Sequence, residues 1–222
     1  MQSDVIIRQE AIGPYRVNTY LLACGRTKKG VLIDPGGEAE RIIRLVREEG
    51  VEPMYILNTH GHADDHVLAN QRLREVFGVP VCMHEADDLF FAAAEIRQKS
   101  EKELGLPGPA PADVRLVDGQ VLEVGDLRIR VIHTPGHTPG SVCFLAAGNL
   151  FTGDTLFVGD VGRTDLTGGS LSTLINSLKE KVIVLPAETV IRPGHDYGET
   201  PTSTVGREIV ENLYITDFIL AG

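Results

Sequence analysis

Residues 60–66 read His-Gly-His-Ala-Asp-Asp-His, so three imidazoles and two carboxylates fall within seven positions. Five ionisable groups this close together cannot enter an apolar core, because burial without partners shifts their pKa values or costs heavy desolvation. They must gather at a loop, either around a cation or in open solvent. The cluster follows a short apolar run, Met54–Leu57, and precedes an amphipathic stretch from about Val67 to Phe77 that is closed by Gly78. It therefore leaves a strand end and enters a helix start, with Gly61 expected to let the loop turn sharply so that His60 and His62 face one point.

The rest of the chain repeats this layout. Strands are expected at Val5–Ile7, Thr19–Ala23 and Gly30–Asp34, the last ending in Pro35-Gly36-Gly37. A helix over Glu38–Glu49 follows, and after the cluster a buried strand over Val79–Met83. Helical patterning from Leu89 to Leu104 gives way to a Gly/Pro-rich run at 105–111. Residues 85–112 are therefore expected to form a lid-like excursion. Strands return at Val114–Val117, Val121–Val124, Leu127–His133, Ser141–Leu145, Asn149–Thr152 and Val190–Arg192, with helices over Ser170–Lys179 and Ser203–Leu213. Two strand-rich halves, each ending in βα units, imply an α/β fold of two packed sheets with helices on the outer faces, built from a loose duplication. At 222 residues the chain is expected to form one domain over residues 1–222.

Other metal-ligand residues also follow expected strands. His137 lies in Thr134-Pro135-Gly136-His137, Asp154 in Thr152-Gly153-Asp154-Thr155, and His195 in Arg192-Pro193-Gly194-His195. Strand ends along one edge of a sheet are where open α/β folds collect functional groups. Any one of these residues alone reads equally well as a turn residue; together with 60–66 they point to zinc, iron or manganese chemistry. The net charge of −10 opposes general affinity for nucleic acid or anionic membranes. No apolar run is long enough to span a bilayer, and the N-terminus lacks a signal-peptide pattern, so a cytoplasmic protein, monomer or homodimer, is expected. Cys24, Cys82 and Cys143 are too few and too scattered for a disulfide framework and read as small buried apolar residues. His84 reads as a turn or helix-start residue, and His133 as a framework histidine.

His60-Gly61-His62 with Asp65-His66, the segment Thr134–Ser141, Thr152-Gly153-Asp154-Thr155 and Pro193-Gly194-His195 resemble the metal motifs of the metallo-β-lactamase superfamily. The resemblance covers nearly the whole chain, including Asp34-Pro35-Gly36-Gly37. It implies a four-layer αβ/βα sandwich of two mixed sheets with a binuclear site at one edge. By carry-over, His60, His62 and His137 would hold one metal. An aspartate, His66 and His195 would hold the other, Asp154 would bridge the two, and Asp34 would orient ligands by hydrogen bonding. The family pattern is His-x-His-x-Asp-His, and this chain has one residue more. Counting forward puts Asp64 in the ligand slot; counting back from the helix makes Asp65-His66 the pair. The second reading keeps both ligands and is preferred.

The resemblance implies a hydrolase in which a metal-bound hydroxide attacks a carbonyl, with Asp154 and Asp65 in the catalytic roles. The stretch Gly159–Leu166 and His195-Asp196-Tyr197 are similar to the glyoxalase II and persulfide dioxygenase branch, which implies a thioester such as an S-acylglutathione. Arg163 and Tyr197 are the expected substrate-binding residues, with a salt bridge from Arg163 to Asp160 or Asp165 as its structural alternative. The expected cofactors are two divalent transition-metal ions, zinc first. A rival reading is a persulfide dioxygenase with a single iron on His60, His137 and Asp154; a second is a non-catalytic metal-binding protein. The chain stops soon after Asn212–Ile215, where the glyoxalases carry a helical extension with basic glutathione-binding residues.

Overall fold

Strands that are apolar on both faces need a cover on each side, whereas helices with one apolar stripe need only one. The computed structural model describes residues 4–62, 66–104 and 109–221, and these form two six-stranded sheets. The first contains, in spatial order, β1 (Val5–Ile12), β2 (Val17–Cys24), β3 (Lys29–Ile33), β4 (Glu52–Leu57), β5 (Val81–His84) and β6 (Val114–Leu116). Its first three strands are antiparallel neighbours, and β3 to β6 run parallel. The second contains β7 (Val121–Val124), β8 (Leu127–His133), β9 (Val142–Ala146), β10 (Asn149–Gly153), β11 (Val190–Pro193) and β12 (Ser203–Thr204), also in sequence order. Only β10 and β11 are parallel in this sheet.

Side-chain alternation sorts most buried apolar strand residues into three cores. Along β2, Tyr20, Leu22 and Cys24 point between the sheets, where they meet Phe144 and Phe151 of the second sheet. Leu21 and Ala23 point outward, against Ile42, Ile43 and Val46 of α1 (Ala39–Glu48) and Leu73 of α2 (Asn70–Phe77). Along β9, Phe144 faces inward and Cys143 outward, toward Leu174 of α5 (Leu171–Ser177) and the π-helical turn Leu178–Val182 that continues it. Val205 of α6 (Val205–Glu211) and Ile215 of α7 (Leu213–Ile215) complete that outer layer, and a second π-helical turn, Thr216–Leu220, closes the chain. The result is the αβ/βα sandwich. All three cysteines are free and buried. Among the described residues no helix is long and apolar enough to cross a membrane.

Two helix starts differ from expectation, and backbone hydrogen bonds explain one of them. The helix expected from Val67 begins at Asn70. The His66 carbonyl accepts from Asn58 Nδ2 (3.0 Å) and the Ala69 N–H donates to Pro35 O (3.0 Å), so these groups are committed outside a helix. Ser203 and Thr204, expected to be helical, pair with β11 as an edge strand, and Thr204 caps α6 by accepting from Arg207 N. Residues 85–112 contribute α3 (Glu85–Ala92) and α4 (Ala94–Leu104), while 105–108 lie outside the described residues.

Candidate metal centre

Asp34 follows β3 in a left-handed backbone conformation (φ 48°) that aims its carboxylate at the loop after β4. Thr59 donates to it twice, from its N–H to Oδ1 (2.7 Å) and from its hydroxyl to Oδ2 (2.8 Å). With its hydrogen spent, the Thr59 oxygen accepts from His60 Nδ1 at 3.1 Å, which leaves the lone pair of the neutral ring on Nε2. That nitrogen is buried and makes no hydrogen bond. His137 is set the same way: Nδ1 donates to the Arg163 carbonyl (2.7 Å), so its lone pair is also on Nε2. His62 Nδ1 comes within 2.9 Å of that atom. His60, His62 and His137 thus bring three ring nitrogens within 4.8 Å of one another.

Asp154, at the end of β10, divides its two oxygens. Oδ2 lies 3.6 Å from His137 Nε2, and Oδ1 lies 3.3 Å from His66 Nε2 and 3.7 Å from His195 Nε2. His60, His66 and Asp154 form a second group with ligand atoms within 4.8 Å. His66 Nδ1 is 3.1 Å from Asp34 Oδ2, so one carboxylate steadies residues of both groups. Burial, reinforced by His66 and His137, holds the His60 pKa well below the usual imidazole value. Burial pushes Asp154 up, but the surrounding histidines outweigh it and hold the carboxyl well below its ordinary range. At these two positions the site thus presents a neutral His60 imidazole and an ionised Asp154 carboxylate, the forms that bind metal.

The grouping departs in part from the expected assignment. His60 belongs to both groups, and His195 reaches Asp154 while standing outside either one. Asp64 and Asp65, and with them the choice of register, lie outside the described residues. The Arg163 guanidinium forms a bidentate pair with Asp165 (2.8 and 2.8 Å), while its carbonyl orients His137. Tyr197 stacks on His195 with centroids 5.0 Å apart and interplanar angle 6°, and lines a cavity of about 370 Å³ beside it. Gly61 has no positive φ; a Cβ there would lie 2.5 Å from the Phe91 ring, so the position needs room rather than an unusual turn. At Gly194 a Cβ would lie 2.5 Å from Asp154 Oδ1 and 2.8 Å from His66 Cε1.

Asp87, on α3, is a site residue that the sequence did not single out. Fully buried, it accepts from Gly61 N (2.8 Å), Thr138 Oγ1 (2.7 Å) and Gly140 N (2.6 Å), joining the loop of His60 and His62 to that of His137. Burial pushes its pKa up to about 6 against these three hydrogen bonds. Its neighbour Asp88 is also acidic and buried, but bonds Ala112 N and Arg115 instead.

These residues fit a transition-metal pair. His60 Nε2 and Asp154 Oδ1 are buried without hydrogen bonds, a state costing roughly 1–3 kcal/mol per group unless a cation takes the place of the donor or acceptor. Imidazole nitrogen and carboxylate oxygen are ligands of zinc, iron and manganese.

A two-sheet sandwich with ligand loops at the strand ends, two groups sharing His60 and a carboxylate between them define a class of metal-dependent hydrolases. The sequence profile of the metallo-beta-lactamase superfamily matches residues 12–195, and the chain belongs to that family. It is 35% identical over 196 residues to the hydroxyacylglutathione hydrolase GloC of Haemophilus influenzae, covering 85% of this chain and 88% of that one. It is 34% identical over 217 residues to the mitochondrial persulfide dioxygenase ETHE1 of Bos taurus, covering 96% of this chain and 77% of the relative. Among solved structures, TTHA1623 in a di-iron-bound form superposes with a TM-score of 0.75 at 36% identity, covering 92% of this chain and 98% of that one.

Proposed function

We propose that the protein is a binuclear metallo-hydrolase of thioesters, acting on an S-acylglutathione or a close analogue. The observation that carries this reading is the placement of Asp154, with one oxygen toward His137 and the other toward His66 and His195. The similarity to a hydroxyacylglutathione hydrolase supports the substrate class, and the di-iron form of the similar structure supports two ions. The donor set suits zinc, and equally admits iron or manganese. His60, His62 and His137 would hold one, and His66, His195 and an aspartate, Asp65 in the preferred register, the other. When bound, such a pair supplies Lewis acidity, which makes hydroxide available near neutral pH and polarises a carbonyl.

The chain's own residues supply position. Thr59 and the Arg163 carbonyl hold His60 and His137 in the tautomers that turn Nε2 inward. Asp154 spans the two histidine groups, and Asp65 would orient the attacking water. A thiolate leaving group, with a reference pKa of ~8.5, needs no strong acid to protonate it, which suits a site without a dedicated acid among its described residues. Tyr197 flanks the approach beside His195.

The test is release of thiol from S-lactoylglutathione by metal-loaded protein, with Asp154→Asn expected to lower turnover at least ~100-fold. The similarity to a persulfide dioxygenase supports a second reading, a single iron on His60, His137 and Asp154. Oxygen uptake with glutathione persulfide, and no thioester cleavage, would establish that reading instead.

A further inference from the structure

The ligands His60, His62 and His137 come from opposite sheets: the first two follow β4, and His137 follows β8. The His137 ring centroid lies 4.7 Å from those of both His60 and His62. Metal–imidazole bonds are short, about 2.0–2.1 Å, so a small slip of one loop past the other would pull a nitrogen out of reach. At the strand ends a backbone bond from Val142 N to Thr59 O (2.8 Å) joins the two segments. Further out, both loops meet α3.

This helix is itself fixed to the first sheet. It follows β5 directly, and Asp88 accepts from Ala112 N (2.8 Å) and Arg115 Nε (2.7 Å) beside β6. From that base the Asp87 carboxylate reaches across the gap. Its Oδ2 accepts from Gly61 N and the Thr138 hydroxyl, and its Oδ1 from Gly140 N. Each bond ends beside a ligand, since Gly61 stands between His60 and His62, and Thr138 and Gly140 follow His137. Both glycines also lie flat against the helix. A Cβ on Gly140 would sit 2.7 Å from Asp87 Cβ, and Gly61 packs on the Phe91 ring, which meets His62 edge-on with centroids 5.7 Å apart.

All three partners of Asp87 are donors, so the group they surround has to accept on both of its atoms. An amide offers one oxygen, and its NH₂ would face Gly61 N–H or Gly140 N–H donor to donor. The remaining ligands are supported elsewhere: His66 by Asp34 and Asn58, and the backbone before His195 by Asn18 and Tyr20. We propose that Asp87 is the positioning residue for the metal on His60, His62 and His137, its carboxylate setting the spacing of the two loops from α3. The proposal rests on the metal-dependent reading of the site and requires neither a thioester substrate nor a second ion.

The test is titration of metal-free protein with cobalt(II), followed by visible absorption, for wild type, Asp87→Asn and Asp88→Asn. Asp88→Asn removes another buried carboxylate from the same helix without touching the ligand loops. Asp87→Asn is expected to weaken one equivalent of cobalt ~10–100-fold and alter its absorption band, leaving the other equivalent unchanged. Asp88→Asn is expected to lower the melting temperature and to bind cobalt as wild type does. In a His137→Ala background, where the remaining ion sits with His66 and His195, adding Asp87→Asn should have no further effect. Should Asp87→Asn fail to fold, Thr138→Val and Thr138→Ser carry the comparison, with valine weakening the same equivalent and serine restoring it. Cobalt binding indifferent to these changes, equal weakening of both equivalents, or the same loss in Asp88→Asn would each overturn the proposal. A single equivalent in wild type that Asp87→Asn weakens would sink the binuclear reading and leave the positioning role standing. Wild type that binds no cobalt would overturn both.

Discussion

At the scale of single residues, the candidate site depends on where hydrogens are placed. Thr59 passes the negative charge of Asp34 to His60 through one hydroxyl, and this relay decides which ring nitrogen of His60 faces inward. Thr59→Val keeps the side-chain shape and the backbone bond to Asp34 but removes the relay. Equilibrium metal binding should then weaken by roughly 10-fold or more, the usual effect of losing an outer partner of a ligand, while the fold is retained. Unchanged metal affinity would show that the relay is incidental. The histidines and Asp154 stood out in the sequence because their chemistry is scarce and falls at strand ends. Asp87 did not, since acidic residues opening a helix are ordinary complements to its dipole. Nothing in the order of residues separates Asp87, which joins the loops of His60 and His137, from Asp88, which bonds Arg115.

At the scale of elements, α3 holds those loops together, and its start depends on a histidine. His84 Nδ1 accepts from Ala86 N (3.2 Å) as the cap of α3, and the ring stacks on His133 with centroids 4.0 Å apart. Burial, with His133 beside it and Asp118 opposing, pushes the His84 pKa down to about 4. The folded protein therefore binds this proton less readily than the unfolded chain. Stability is complete above the unfolded value near ~6.5 and declines as pH falls through the folded value, by up to roughly 3 kcal/mol. Asparagine caps helices well and does not titrate. His84→Asn should accordingly flatten the loss of melting temperature between pH 7 and pH 4.5, and parallel curves for variant and wild type would contradict this. Periodicity located most strands and helices, but ends set by long-range bonds could not be read from it. Asn58 and Pro35 hold the His66–Ala69 backbone outside α2, the first from the start of the same β4–α2 segment and the second from the separate loop after β3.

At the scale of the whole molecule, the two sheets hold the ligand loops against each other. Tyr20 shows the coupling: its ring packs edge-on against Phe151 (centroids 5.1 Å apart) in the intersheet core, and its hydroxyl bonds Pro193, two residues before His195. Burial pushes that phenol well above its ordinary pKa, so it remains a donor. Metal binding should therefore stabilise the entire sandwich. Metal at 100 times its dissociation constant adds about 2.7 kcal/mol, a rise of roughly 5–10 °C in melting temperature that a chelator reverses. The sandwich was legible because strands buried on both faces alternated with one-sided helices and the ligand motifs fell in order between them. The cavity beside His195 was not, because Gln9 and Asn18 lie far from Tyr197 in sequence and line one cavity only once β2 is fixed to the His195 loop. The most direct test of the central claim is titration of metal-free protein with zinc while following thiol release from S-lactoylglutathione. The account predicts no turnover without metal and a plateau at two equivalents per chain, and turnover that persists in the metal-free protein would contradict it.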